Sequence, residues 1–541
     1  MNELLVAAQP VANNWFNPNI EYDGTAEAEF VDPPGVIKGR TLATYNEDGE
    51  QEIVMGVNAK HLRDGTIFDF LKVGGLTNNP CKQLIIRTRQ GMFYSTGNVI
   101  YSYSFSLGND TSGFRITFHV MEALFEKSGA QLPRYWVLPL SNFLSDFTDQ
   151  YKELGRHALR LYPTPKVPRK TSRADRKVAT YIANQKNRLI VFETEQGLGF
   201  IEPLIDYKDR ENNLRSGRER NALTAIMVGE LGNHPCNNYT DLQTWFPIDF
   251  IHLLGLATGS EVGAPWIELR DAKGKLVKRI HVNLGNPTFI KGHRSIDEVA
   301  AKGIGRLLTQ AVVSSYWRTS VLRVVLRHTI RGGFYEQTLL EDRFGYLCRG
   351  LETLCKHFGL SKQQLTDGFN DKQKIIIKGI VDKANKALMR FSQEPEIAID
   401  IDKVRKIEKI SDRIKDSTSK SKDFGLAVCD LLTRFSLPDA NIIDAHYKAH
   451  PRPDKRKSWH QVLSYYRGAV FHEGYFDIQG NQYNRQDILV IISHLHDILV
   501  RILLQMLNYS ASYIPTVGSY VVNMPIDWVN PNTPIEKLGY E

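Results

Sequence analysis

The stretch Trp459-His460-Gln461-Val462-Leu463-Ser464-Tyr465-Tyr466-Arg467-Gly468-Ala469-Val470-Phe471-His472-Glu473-Gly474-Tyr475-Phe476 decides how the C-terminal half of this chain is read. Trp459, Val462, Leu463, Tyr466 and Val470 recur at helical spacing and predict one apolar helix face. Gly474 stands where such a helix stops. Arg467 and His472, with four residues between them, supply a phosphate-binding cation and a group that moves protons near neutral pH. On a regular helix, five residues advance about 500°, which leaves the two side chains about 140° apart. One unbroken helix therefore does not aim both at one phosphate; a local bend or a second copy of the chain is needed.

Outward from this run, helix signals extend from about Ser295 to Tyr509. Apolar residues at helical spacing fill Phe344 to Cys355, Leu437 and Pro438 close another helix, and Thr329 to Gly333 and Asp416 to Lys422 read as interruptions. The segment Asp487 to Leu507 is dense in Ile, Leu and Val. Ser493, Asp497, Arg501 and Gln505 draw a polar stripe along it, so it reads as a bundle helix with a narrow wet edge and not as a membrane span. His494 and His496 lie off that stripe and read as core histidines.

The N-terminal half reads as strands. Short runs rich in Val, Ile, Phe, Tyr and Thr, broken by Asp32-Pro33-Pro34-Gly35 and Glu47-Asp48-Gly49, cover Glu21 to Val120. Val99 to Phe105 alternates aromatic residues with serines. A sandwich or barrel is expected there. Strands resume at Leu189 to Phe192 and Trp266 to Leu269, with a helix around Phe246 to Leu256 and a hairpin turn at Asp271-Ala272-Lys273-Gly274-Lys275.

The expected fold class is α+β and multidomain, with a β-rich N-terminal half before an all-α bundle. The expected divisions are 1–150 (β-rich), 151–186 (basic linker), 187–294 (mixed, β-rich), 295–514 (helical) and 515–541 (tail), in keeping with a chain of 541 residues, too long for one core. The net charge is +8, and the stretch from Tyr151 to Ile190 carries all of it, with eleven Lys and Arg against two acids. Arg169, Lys170, Arg173, Arg176 and Lys177 in that stretch are candidates for contact with an RNA backbone, a solvated surface segment being the alternative.

Five scattered cysteines without a CxxC pair point to reduced thiols, and His234-Pro235-Cys236 lacks a second ligand pair nearby, so no metal or other cofactor is expected. No secretory leader is legible at Met1-Asn2-Glu3, which sets the expectation of a cytoplasmic protein without a membrane partner. G-x-S-x-G, P-loop and HExxH motifs are absent from the sequence.

R-x4-H is a short pattern, with on the order of one chance match expected in a chain of this size. A second match occurs at Arg323 and His328, inside an apolar, β-branched run. The helical half, with Arg467 to His472 late in it and Arg349-Gly350-Leu351-Glu352 early, resembles the HEPN superfamily of ribonucleases, in particular the ApeA-type branch. The resemblance implies a metal-independent endoribonuclease, with Arg467 and His472 catalytic and two bundles paired in a homodimer. It also implies an RNA substrate, tRNA among the candidates, and a role in anti-phage abortive infection. The N-terminal half would act as sensor of a phage-derived trigger or as a restraint. Gly468 departs from the pattern, since many active members carry a polar residue directly after the arginine. The alternative reading is a catalytically inactive HEPN-type module for dimerisation or nucleotide binding.

Overall fold

The computed structural model describes residues 20–31, 34–46, 51–57, 81–95, 99–106, 113–120, 122–147, 189–204, 206–234, 236, 241, 248–282, 287–297, 302–335, 338–364, 369–398, 400–416, 419–437, 458–478 and 484–516. The chain divides into two units, one built from the chain up to Thr338 together with Leu503–Thr516, the other from Leu339 to Ile502. The fold is α+β, with a large antiparallel sheet in the N-terminal part and helices in the C-terminal part.

The first unit grows from β1 (Ile20–Val31), in which Ile20, Tyr22, Ala26, Ala28 and Phe30 alternate inward while the residues between them are polar or small. It pairs along its whole length with β2 (Pro34–Tyr45), and on its other edge with β4 (Cys81–Thr88). From β2 the pairing continues through β3 (Gln51–Val57), β7 (Gly113–Val120) and β6 (Val99–Ser106), and one pair, Cys81 with Val99, returns to β4. Six strands thus close into a ring, the barrel solution of the two expected. Beyond β4 the sheet continues through β5 (Gly91–Ser95), β8 (Glu122–Lys127), β14 (Leu276–Val282), β13 (Trp266–Arg270), β9 (Tyr135–Ser141), β12 (Leu223–Glu230), β11 (Gly197–Pro203) and β10 (Ile190–Thr194). Strands on either side of the expected boundary near 187 therefore interleave in one sheet, since β8 pairs with β14 and β9 with both β12 and β13.

The helices α1 (Tyr207–Arg215), α2 (Ile248–Thr258), α3 (Gly303–Val312) and α4 (Ser320–Gly332) belong to this unit, so it runs past the expected start of the helical region at 295. α4 ends at Gly332, inside the segment Thr329–Gly333 read as an interruption, and Thr329 itself is still helical. The Thr329 hydroxyl donates to the Val325 carbonyl at 2.8 Å, the back-bond that lets a β-branched residue sit inside a helix. The hairpin at Asp271–Lys275 is as expected, its Asp271 carboxylate accepting from the Lys273 and Lys275 amides.

The second unit comprises α5 (Leu340–His357), α6 (Asp371–Phe391), α7 (Pro395–Ala398), α8 (Ile401–Asp416), α9 (Phe424–Arg434), α10 (Trp459–Gly468) and most of α11 (Arg485–Met506). Part of the polar segment read as a loop forms β16 (Ser419–Ser421), paired with β15 (Lys362–Gln364). The polar stripe of α11 is not a wet edge over its length, because Asp497 and Arg501 are fully buried and partnered; only Gln505 is exposed. The helix is covered on nearly all sides, and the polar stripe went with it.

Candidate active site

The site begins with the seating of α10. Trp459, Val462, Leu463 and Tyr466 are buried, as their spacing predicts. Gly425 at the start of α9 lies against this helix so closely that a Cβ there would stand 2.1 Å from the His460 carbonyl oxygen, so only glycine fits. The two helices are tied by the Ser464 hydroxyl, which accepts from the Gly425 amide at 3.0 Å and donates to Asp423 at 2.8 Å.

After Gly468 the helix widens into a π-helical turn, Ala469–Glu473, closed by the bond from the Gly474 amide to the Ala469 carbonyl and ended by Gly474 at φ +85°. A π-turn closes on residue i+5 instead of i+4, so it changes the angular relation between Arg467 and His472 that a regular helix would impose. Such turns are frequent at functional positions, because the extra residue costs regular hydrogen bonding. Phe476 then returns to the core, its ring against Tyr466 and Phe344 and its amide bonded to Glu341 at 3.1 Å.

Arg467 is about one-third exposed, and its Nε donates to Glu352 on α5. Its guanidinium stands over the rings of Phe424 at 5.5 Å and Phe471 at 5.1 Å, the latter directly before His472. Aromatic faces stabilise a cation and hold it in place. The Nε edge is taken by the carboxylate, which leaves the two terminal nitrogens as the donors a phosphate would meet. His472 is exposed, as are Phe471, Glu473 and Tyr475 around it, and it makes no hydrogen bond to a described residue. A Cβ at Gly468 would meet nothing within 4 Å, so the missing polar side chain leaves open space beside Arg467.

The second R-x4-H pair is a different object. Arg323 grips the fully buried Asp249 of α2 through two bonds, of 2.5 and 3.3 Å. Burial pushes the Asp249 carboxyl up against the opposing pull of Arg323. That arginine, about one-third exposed, is anchored on a buried carboxylate, and its helix shows no break.

His494 and His496 are buried, and His494 is pushed down to about 3 by burial, its ring edge-on to Trp459 at 5.1 Å. Cys81 and Cys355 are pushed up to about 12 by burial, which makes them inert thiols. Arg169, Lys170, Arg173, Arg176 and Lys177 lie outside the described residues.

The sequence reading missed a charged network inside the sheet. Glu268 on β13 accepts from Arg279 on β14 (2.9 and 3.0 Å) and from Arg270 (2.9 Å), and Arg279 also donates to the Tyr22 hydroxyl at 3.1 Å. Tyr22 and His281 are 2.8 Å apart, and burial holds His281 well below its usual range, so the ring in this bond is neutral. The signal was available as Glu268 and Arg270, Arg279 and His281, each pair two apart and so on one strand face. It also missed Glu352 as the partner of Arg467, although the run containing it had been singled out. Comparison with protein-family models, with curated proteins and with solved structures returns no match for this chain.

Proposed function

We propose that this chain is a metal-independent endoribonuclease of HEPN type, with Arg467 and His472 as its catalytic residues. The observation that carries the reading is the π-helical turn between them, which stands at the one place where a regular helix would misdirect the pair. The ribose 2′-oxygen attacks the adjacent phosphorus and the bond to the 5′-oxygen breaks. His472 takes the proton from the 2′-hydroxyl, and a second histidine from another copy of the chain protonates the leaving oxygen. The terminal nitrogens of Arg467 offset the charge that grows on the phosphoryl oxygens. Glu352 acts as a positioning residue, fixing the Nε edge so that the other donors face outward. The products are a 2′,3′-cyclic phosphate and a 5′-hydroxyl end. In this reading the substrate is a cellular RNA, tRNA among the candidates, and the β-rich unit senses a phage-derived trigger or restrains the nuclease.

One observation favours the alternative of an inactive binding module: Arg467 already has a carboxylate partner, as a purely structural arginine would. Expression of wild type, Arg467→Ala, His472→Ala and His328→Ala in a bacterial host, with RNA fragment ends mapped with and without phage infection, separates the two. Cyclic-phosphate ends from wild type and His328→Ala alone are expected. Intact RNA from every variant, wild type included, in both conditions supports the binding module.

A further inference from the structure

The turn that carries His472 shows two aromatic rings to solvent. Within Phe471–Phe476 three of six residues are aromatic, and the structure divides them. Phe476 is buried, its ring against Tyr466 and Phe344 at 5.8 and 5.6 Å. Phe471 is 37% exposed and Tyr475 57%. Both stand on tied backbone. The π-turn that carries Phe471 is closed by the Gly474 amide on the Ala469 carbonyl at 3.2 Å, and Tyr475 follows between Gly474 and the anchored Phe476, whose amide is bonded to Glu341. One side of Phe471 carries the Arg467 guanidinium. Tyr475 makes no hydrogen bond and no ring contact among the described residues. It stands three positions after His472, so the two Cα atoms are at most about 11 Å apart.

The proposed reaction creates a use for such rings. Attack by the 2′-oxygen needs that oxygen, the phosphorus and the departing 5′-oxygen close to one line, an alignment that a nucleotide stacked in a regular helix does not have. The nucleotide at the cut therefore leaves its stack, and its base loses its neighbours. An aromatic side chain replaces them, since every base offers a flat face and unpaired bases in RNA are held in this way. Glu473, exposed between the two rings in sequence, has only acceptors and repels a phosphate, so the turn suits the base of a nucleotide better than further backbone. The rival occupant is the second copy of the chain that the reaction uses. Rings sealed under that copy would sit beside a histidine that must stay open to RNA, which favours the base.

We propose that Tyr475 and Phe471 stack the nucleobases that flank the scissile phosphate, and so select RNA that is unpaired at the cut. The proposal rests on the reading of Arg467 and His472 as a nuclease site and is tested apart from it. Because Phe471 also holds Arg467, Tyr475 carries the decision. Wild-type protein first locates a cut in a single-stranded oligoribonucleotide. The uncleaved complex is then formed with full-length His472→Ala and the same RNA carrying the fluorescent base 2-aminopurine on one side of the cut or the other. Binding is expected to quench at least one of the two positions. Adding Tyr475→Ala to that background should remove the quenching there and weaken binding about tenfold, as loss of one stacked base does, and Tyr475→Phe should keep both. In otherwise wild-type protein Tyr475→Ala should raise KM by a similar factor, and a complementary strand annealed over the cut should slow cleavage by at least about tenfold. Unchanged quenching and KM in Tyr475→Ala overturn the proposal. So does Tyr475→Phe failing as alanine does, or Tyr475→Ala turning a dimer into a monomer, which assigns the ring to the second copy. A wild type that cuts no RNA overturns the nuclease reading and this inference with it, whereas a wild type that cuts with an indifferent Tyr475 overturns the inference alone.

Discussion

Two arginine–glutamate pairs in this protein look alike in a contact map and differ in what they can do. In the sheet, Arg279 and Glu268 are at most one-tenth exposed, and Arg279 spends its nitrogens on Glu268 and Tyr22. In the helical unit, Arg467 and Glu352 are each about one-third exposed, and beside them a π-turn presents an exposed histidine. Burial with every nitrogen engaged makes a charge part of the scaffold. Partial exposure with donors left over makes it available to a ligand.

The comparison predicts its largest effect in the sheet. Glu268→Ala leaves Arg270 and Arg279 buried without a counter-charge and is expected to cost about 3–5 kcal/mol of stability. Glu352→Ala, at a part-exposed pair, should cost about 0–1 kcal/mol. Urea denaturation of both variants checks the contrast, and equal losses would erase it.

Acid gives the next effect. His281 and His494 are fully buried, one in each unit, and both are held below the ordinary value of 6.5, His494 at about 3. A histidine whose folded pKa is depressed binds its proton only in the unfolded chain at intermediate pH. Stability is therefore intact above about 6.5 and falls as the pH drops below it, by about 1.4 kcal/mol per pH unit for each group, down to the folded value. Denaturant midpoints measured at pH 7 and pH 5 should show the loss, and His494→Phe should reduce it for the helical unit. A flat profile would mean that the rings are wet.

The smallest effect concerns Gly468. A side chain there meets open space, and glycine in a helix costs about 0.5–1 kcal/mol relative to alanine. Gly468→Ala should raise the thermal midpoint slightly without loss of cleavage. A destabilised variant would show that the π-turn depends on the glycine.

The local patterns legible in the sequence were those with one clear period. Alternation placed β6, and the 3.6-residue spacing of Trp459, Val462, Leu463 and Tyr466 placed the buried face of α10. What escaped was long-range or inverted. The pairing of β8 with β14 joins segments about 150 residues apart, and no local pattern reports it. Charged residues at alternate positions of β13 and β14 satisfy one another in the core, and Asp497 and Arg501, read as part of a wet edge, are buried. A bend after Arg467 was one of the two solutions that geometry left open, but its kind could not be read, because a π-bulge has no residue signature of its own.

The most direct test of the central claim is cleavage of RNA by purified wild type, Arg467→Ala and His472→Ala in the presence of a chelator, with a substrate bearing 2′-O-methyl riboses as the control. The account predicts turnover by wild type unaffected by the chelator, a fall of at least about a hundredfold in each variant, and no cutting of the methylated RNA. Undiminished cleavage by His472→Ala, or cutting of the methylated RNA by wild type, would contradict it.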